Sequence, residues 1–148
     1  MELITSRMVL KNKFQMEWTF TSSISAILPL FQHSDFVFHF AAKNCISDCQ
    51  LDPVETADIN VHGTVNVFEA SRKAKVKKVI YAESSALYEG SEVLPTPETE
   101  IRPQSFYAIS KLSSMYFAQA YTRFFGTPSL QPVTAKSIPD ETGYSNIP

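Results

Sequence analysis

Tyr107 and Lys111 stand four residues apart, and Ser84 and Ser85 close an apolar run upstream of them. Four residues make about one helical turn, so a phenol and an ammonium at this spacing share one face of a helix. A cation held beside a phenol favours the phenolate, which lets a group of free pKa about 10 exchange protons near neutral pH. The chemistry suggested is proton transfer to or from a sugar or alcohol hydroxyl. Tyr81, Tyr88, Tyr116 and Tyr121 have no lysine four residues on and read as packing residues. A Tyr-x-x-x-Lys match is common by chance, so its meaning rests on the elements that position it.

Those elements alternate. Residues 36–42 (FVFHFAA) follow the polar His33-Ser34-Asp35 and predict a strand buried on both faces. Asp52 reads as a helix N-cap, with Pro53 at the first helical position and Glu55 closing a capping box. From there to about Ala74, Ala57, Val61, Val65 and Phe68 recur at helical intervals and predict an amphipathic helix. Residues 76–85 (VKKVIYAESS) predict a second strand and residues 108–125 a second helix that Gly126 stops. Ile24–Phe31 predicts a helix before the first strand, and Met8-Val9-Leu10 a short strand. This order is that of an α/β, doubly wound parallel sheet, whose ligands sit at the carboxyl ends of its strands. Ala41-Ala42 and Ser84-Ser85 both fall at such ends.

On these residues, the stretch from about Asp35 to Gly126 resembles the extended short-chain dehydrogenase/reductase family, in its nucleotide-sugar epimerase and dehydratase branch. FHFAA is similar to the strand whose backbone lines the family's NAD. Asn60 with the following Val-His-Gly-Thr-Val-Asn resembles its Asn-x-x-Gly-Thr helix, YAESSALY the strand carrying the active-site hydroxyl, and PQSFYAISK the Tyr-x-x-x-Lys helix. The resemblance implies that Tyr107 is the catalytic acid/base, and that Lys111 binds the nicotinamide ribose and lowers the tyrosine pKa. It places Ser84 as the hydroxyl that hydrogen-bonds the reacting group, with Ser85 as its neighbour in the cofactor site. It brings Ala41 and Ala42 to NAD through their backbone, Lys43 near the cofactor through its side chain, and Asn60 to the local structure around it.

Each residue also has a plain structural role open to it. Ser84 and Ser85 can cap the strand end and bond nearby backbone, and Asn60 can be a solvated helix residue. His39, inside an apolar strand, reads as a satisfied core histidine rather than a ligand or base. His33 and His62 show no partner pattern, and no metal site is expected.

The family's reactions are separated by the residues after the hydroxyl. Dehydratases generally carry Thr-Asp-Glu there and decarboxylases often a glutamate, whereas this chain has Ser84-Ser85-Ala86, and Ala86 cannot move a proton. The resemblance therefore implies an NAD-dependent nucleotide-sugar 4-epimerase, UDP-sugars being the expected substrates. In it Tyr107 takes a hydroxyl proton, NAD takes the hydride, and the keto sugar is reduced from its other face. Alcohol oxidoreduction or dehydration on the same fold is the alternative, as is an inactive remnant or association module. Members of the family commonly pair through the helix beginning at Asp52 and the Tyr107 helix, so a homodimer is expected.

The departures are equally specific. The family's first strand and helix are joined by a glycine-rich turn whose backbone amides approach the cofactor pyrophosphate. Here the four glycines, Gly63, Gly90, Gly126 and Gly143, are scattered. Few residues precede the FHFAA strand, and residues 127–148 are rich in Pro, Ser and Thr. The expectation is an incomplete Rossmann domain over residues 1–126, an irregular or disordered tail over 127–148, no substrate domain, weak NAD binding and little activity alone.

Composition fits one core: 148 residues, 44% hydrophobic and 19% charged. A net charge of -2 offers no basic stripe for nucleic acid. Lys73, Lys75, Lys77 and Lys78 read as a solvated edge. No apolar stretch or leader pattern indicates a membrane span or export, and two cysteines, Cys45 and Cys49, suit a reducing cytoplasm.

Overall fold

A computed structural model describes residues 23–127 together with the backbone of residues 130–133. The strand expected at Met8-Val9-Leu10 lies outside the described residues. Helix α1 (Ile24–Phe31) buries Ile27 and Phe31, one turn apart, and matches its predicted span. Strand β1 (Phe36–His39) follows, then α2 (Ile46–Leu51), α3 (Pro53–Ala57), a wide π-turn (Asp58–His62) and α4 (Gly63–Lys73). Strand β2 (Lys78–Ala82), a 3-10 turn (Ser85–Tyr88), helix α5 (Phe106–Phe125) and strand β3 (Leu130–Val133) complete the described order.

The described strands form one parallel α/β sheet in the order β1-β2-β3, with Phe36 opposite Lys78 and Ala82 opposite Val133. Both crossovers step the same way across it, and right-handed crossovers then set α4 and α5 on the same face. Alpha-1 packs on α4 as well. One apolar layer results, in which Phe68 meets Tyr81 and Tyr121 edge-on at 5.4 and 6.0 Å between ring centroids, with Phe31, Val37 and Val79 around them.

The first strand departs from expectation. Val37 and His39 are buried, but Phe36 and Phe38 on the opposite face are exposed, so β1 is covered on one side among the described residues. An all-apolar run reads as doubly buried whether or not a second helix layer is there to cover it. The stretch expected to be irregular contributes β3, where Pro132 pairs in register with Tyr81. Proline fits an edge position because its missing N–H can face away from the ladder.

Asp52 caps α3 as predicted, its Oδ1 accepting the Glu55 N–H at 2.9 Å. The reciprocal bond of the capping box is not made. Glu55 turns its carboxylate to the Lys43 ammonium at 2.5 Å, while the Asp52 N–H donates to the Asp48 carbonyl. The apolar stripe of Ala57, Val61 and Val65 lies on the outer side, and the inward stripe is Thr56, Asn60, Thr64 and Val67. Polar groups can occupy this face because they bond one another and nearby backbone.

Candidate functional site

Helix α5 carries both Tyr107 and Lys111, and its start is fixed by two devices. Ser105 is the N-cap, its Oγ accepting the Ala108 N–H at 3.1 Å. Glu89, at the end of the 3-10 turn, accepts the backbone N–H groups of Gln104 and Ser105 and the Ser105 hydroxyl. Partial burial pushes the Glu89 carboxyl up, but the bonds from Ser105 and Gln104 outweigh it and hold its pKa below the usual range. An anion here also complements the helix N-terminus. At the far end Gly126 takes φ 59°, the left-handed cap for which glycine has no steric penalty.

Lys111 is 6% exposed, and its ammonium donates to the carbonyl of Ala82, the last residue of β2. This contact ties the Tyr107 helix over the strand end that leads into Ser84 and Ser85. Burial pulls the Lys111 pKa down and the Glu83 carboxylate opposes it. Ser84 is half-buried and caps the 3-10 turn, accepting the Ala86 N–H at 3.2 Å, while Ser85 is exposed. Ser84 thus has the expected capping role, and its O–H proton is not used in that bond.

Between the two stands Glu83, 9% exposed, with neither carboxylate oxygen in hydrogen-bonding geometry to another group. Burial raises its pKa to about 7 against the pull of Lys111 and of the nearby Tyr81 hydroxyl. The serine doublet does not itself point to this glutamate. A charged residue inside an apolar strand run is the signal that marks it.

Asn60 is 1% exposed and is not a solvated helix residue. Its Oδ1 accepts the Lys43 N–H at 2.7 Å, and its Nδ2 donates to the Lys43 carbonyl and to Ser110 Oγ, each at 2.9 Å. Ser110 in turn donates to the Tyr107 carbonyl at 2.7 Å. The wide turn at Asp58–His62 surrounds Asn60, and such turns recur at functional sites. One side chain therefore links the segment after Ala41-Ala42 to the first turn of the Tyr107 helix. Ala41 and Ala42 are half-buried, with Ala41 packed against the core. The Lys43 ammonium is committed to Glu55, which raises its pKa. Ser110 and Glu89 both went unnoticed in the sequence, since their partners lie 50 and 15 or 16 residues away.

His39 is the core histidine expected. Thr64 Oγ1 donates to the Asn60 carbonyl at 2.7 Å, so at 2.9 Å it accepts from His39 Nε2–H. Burial, reinforced by Lys111, lowers the His39 pKa to about 3 and keeps the ring neutral. The end of β2 thus gathers an ammonium, a hydroxyl and a protonatable carboxyl beneath the helix that carries Tyr107, a set suited to moving a proton on a hydroxylated substrate. No helix among the described residues is long and apolar enough to cross a membrane.

Known proteins resemble this chain over most of its length. A UDP-glucose 4-epimerase of Mycoplasma pneumoniae is 31% identical over 108 residues, 70% of this chain and 30% of that protein. Among solved structures, the UDP-glucose 4-epimerase of Thermotoga maritima with UDP-glucose superposes with a TM-score of 0.74 at 29% identity, over 82% of this chain and 40% of that one. The UDP-glucose 4-epimerase of Brucella ovis in complex with NAD gives a TM-score of 0.72 at 25% identity, over 77% and 36%. The chain spans about a third of the length of the relatives it matches. The family profile that matches residues 6–133 is that of the NAD dependent epimerase/dehydratase family, and the chain belongs to that family.

Proposed function

We propose that this chain carries the acid/base half of a nucleotide-sugar 4-epimerase site, with UDP-sugars as the substrate class. The observation that carries the reading is the bond from the Lys111 ammonium to the Ala82 carbonyl, which sets the Tyr107 helix over the Ser84 strand end. Tyr107 takes the proton of the sugar hydroxyl and later returns it. Lys111 keeps a positive charge on the same helix face, which stabilises the phenolate while it exists. Ser84 offers its hydroxyl proton to the reacting oxygen. Ala86 has no group to expel water, so the chain's own residues support epimerisation over dehydration.

The donor set suits the nicotinamide-ribose end of NAD: Lys111, Tyr107 and Ser84 as side-chain partners, and Ala41 and Ala42 as backbone of close approach. Bound there, NAD supplies a reversible acceptor for the hydride. The pyrophosphate end is not matched, because the four glycines are scattered and form no phosphate-binding turn. That mismatch is what favours a second reading, an inactive association module on the same fold. The outer stripe of Val54, Val61 and Val65 forms with Phe117 of α5 a groove edged by Asp52 and Glu55, and it supports pairing with a second copy.

Titration calorimetry of NAD into the chain separates these readings. Loss of two or three charge-assisted bonds of about 1.5–3 kcal/mol each predicts affinity weakened by several orders of magnitude, yet still lowered further by Lys111→Met. Weak binding that Lys111→Met leaves unchanged would support the inactive module.

A further inference from the structure

We propose that Glu83 is a positioning residue for Lys111: its buried, unpartnered carboxyl exchanges a proton at the end of β2 and thereby sets the reach of the ammonium that the Ala82 carbonyl holds. Glu83 continues the alternation of Val79 and Tyr81, the face of β2 packed against the helix layer, and directly follows the carbonyl that Lys111 bonds. Both residues are more than nine-tenths buried. A glutamate kept for structure alone is normally paired when buried, and this one has two oxygens without a hydrogen bond. A carboxyl left open beside a buried ammonium is a proton store that costs stability, which is the pattern of a working group rather than a packing one.

The surrounding titratable groups leave the neutral range to Glu83. His39 on β1 stays neutral down to about pH 3. Tyr81 on β2 itself is pushed up by burial and by Glu83, and Tyr88 on the 3-10 turn by burial, Glu98 and Glu83. Neither phenol ionises near neutrality. The carboxyl of Glu83, lifted to about 7, is the described group there whose charge changes near neutrality, and it faces the Lys111 ammonium, whose pKa burial lowers. With Glu83 ionised, Lys111 is held charged and drawn toward the carboxylate. With Glu83 protonated, the carbonyl of Ala82 is the ammonium's anchor. The consequence for Tyr107 rests on the epimerase reading, but the coupling itself does not.

The test is carbon-13 NMR of the 148-residue chain labelled at lysine Cε and glutamate Cδ, titrated from about pH 5 to about pH 9, with Lys111→Met and Glu83→Gln as variants. The expected result is a Glu83 midpoint near 7, displaced upward in Lys111→Met, and an inflection of the Lys111 Cε signal at that same pH that vanishes in Glu83→Gln. A Glu83 midpoint unmoved by Lys111→Met, or a Lys111 signal without the inflection, overturns the proposal. If a variant fails to fold, the shared inflection in the unmodified chain decides alone: its presence supports the coupling and its absence overturns it. No cofactor or substrate enters the measurement, so a negative result leaves the role of Tyr107 standing, and failure of the epimerase reading leaves the coupling standing.

Discussion

Asn60 holds both backbone polar groups of Lys43, accepting from its N–H at 2.7 Å and donating to its carbonyl at 2.9 Å. Its remaining amide proton goes to Ser110 on α5, so the segment after β1 and the helix of Tyr107 share one clamp. Replacing Asn60 by alanine removes three hydrogen bonds, one buried and two partly buried, and leaves the Lys43 N–H and carbonyl without them. At about 1 kcal/mol for each bond, plus the desolvation of groups left unpaired, the cost is about 3–5 kcal/mol. Urea unfolding checks this, and a loss below about 1 kcal/mol would show that the clamp is dispensable.

Glu83 predicts an unusual pH dependence of stability. Its folded pKa, about 7, lies above its ordinary 4.5, so the folded state binds the extra proton and stability falls as pH rises between those values. Glu83→Gln should match the parent chain near pH 4 and exceed it at pH 8 by up to about 3 kcal/mol, following about 1.4 kcal/mol per pKa unit. Denaturant midpoints at the two pH values decide it. Equal gaps at both would mean that the carboxyl is not raised.

The sign is opposite at Glu89, whose pKa is held below 4.5 by the Gln104 and Ser105 N–H groups. The stability it contributes is present above pH 4.5 and lost as pH falls through its lowered folded value. Glu89→Gln should therefore be less stable than the parent at neutral pH and approach it in acid. Because Glu89 is exposed, the neutral-pH gap is small, and the convergence in acid is the telling feature.

The outer groove makes a prediction about assembly. Val54 is 80% exposed and Phe117 39%, side by side on the face formed by α3 and α5. Sedimentation at micromolar concentration should show a dimer that Phe117→Glu converts to monomer with unchanged circular dichroism. A monomeric parent chain would remove this interface.

Much of the frame was legible in the sequence. Ile24–Phe31 is expected as the helix before the first strand, Asp52 and Pro53 mark a helix start, and Gly126 marks an end; the last two are local signals acting within one turn. Contacts across long separations were not legible. The resemblance assigns Asn60 to the local structure around the cofactor, but nothing near it in sequence names Ser110 as its partner, and Glu55 fits a capping box until Lys43 takes its carboxylate. The outward stripe of Ala57, Val61 and Val65 misleads for a related reason. Hydrophobic periodicity finds a face, but it does not say whether the chain's own core or a second surface covers it.

Proton transfer by Tyr107 is most directly measured in a full-length relative. Residues 36–126 can replace the matching segment of the Thermotoga maritima UDP-glucose 4-epimerase, to which the chain is 29% identical with a TM-score of 0.74. The chimera is assayed for UDP-glucose epimerisation with and without Tyr107→Phe. The expected result is a fall in kcat of about 100-fold or more, the range of a lost general acid/base, with NAD affinity changed little. A Tyr107→Phe chimera that turns over within a few fold of its parent while binding NAD equally well would contradict it.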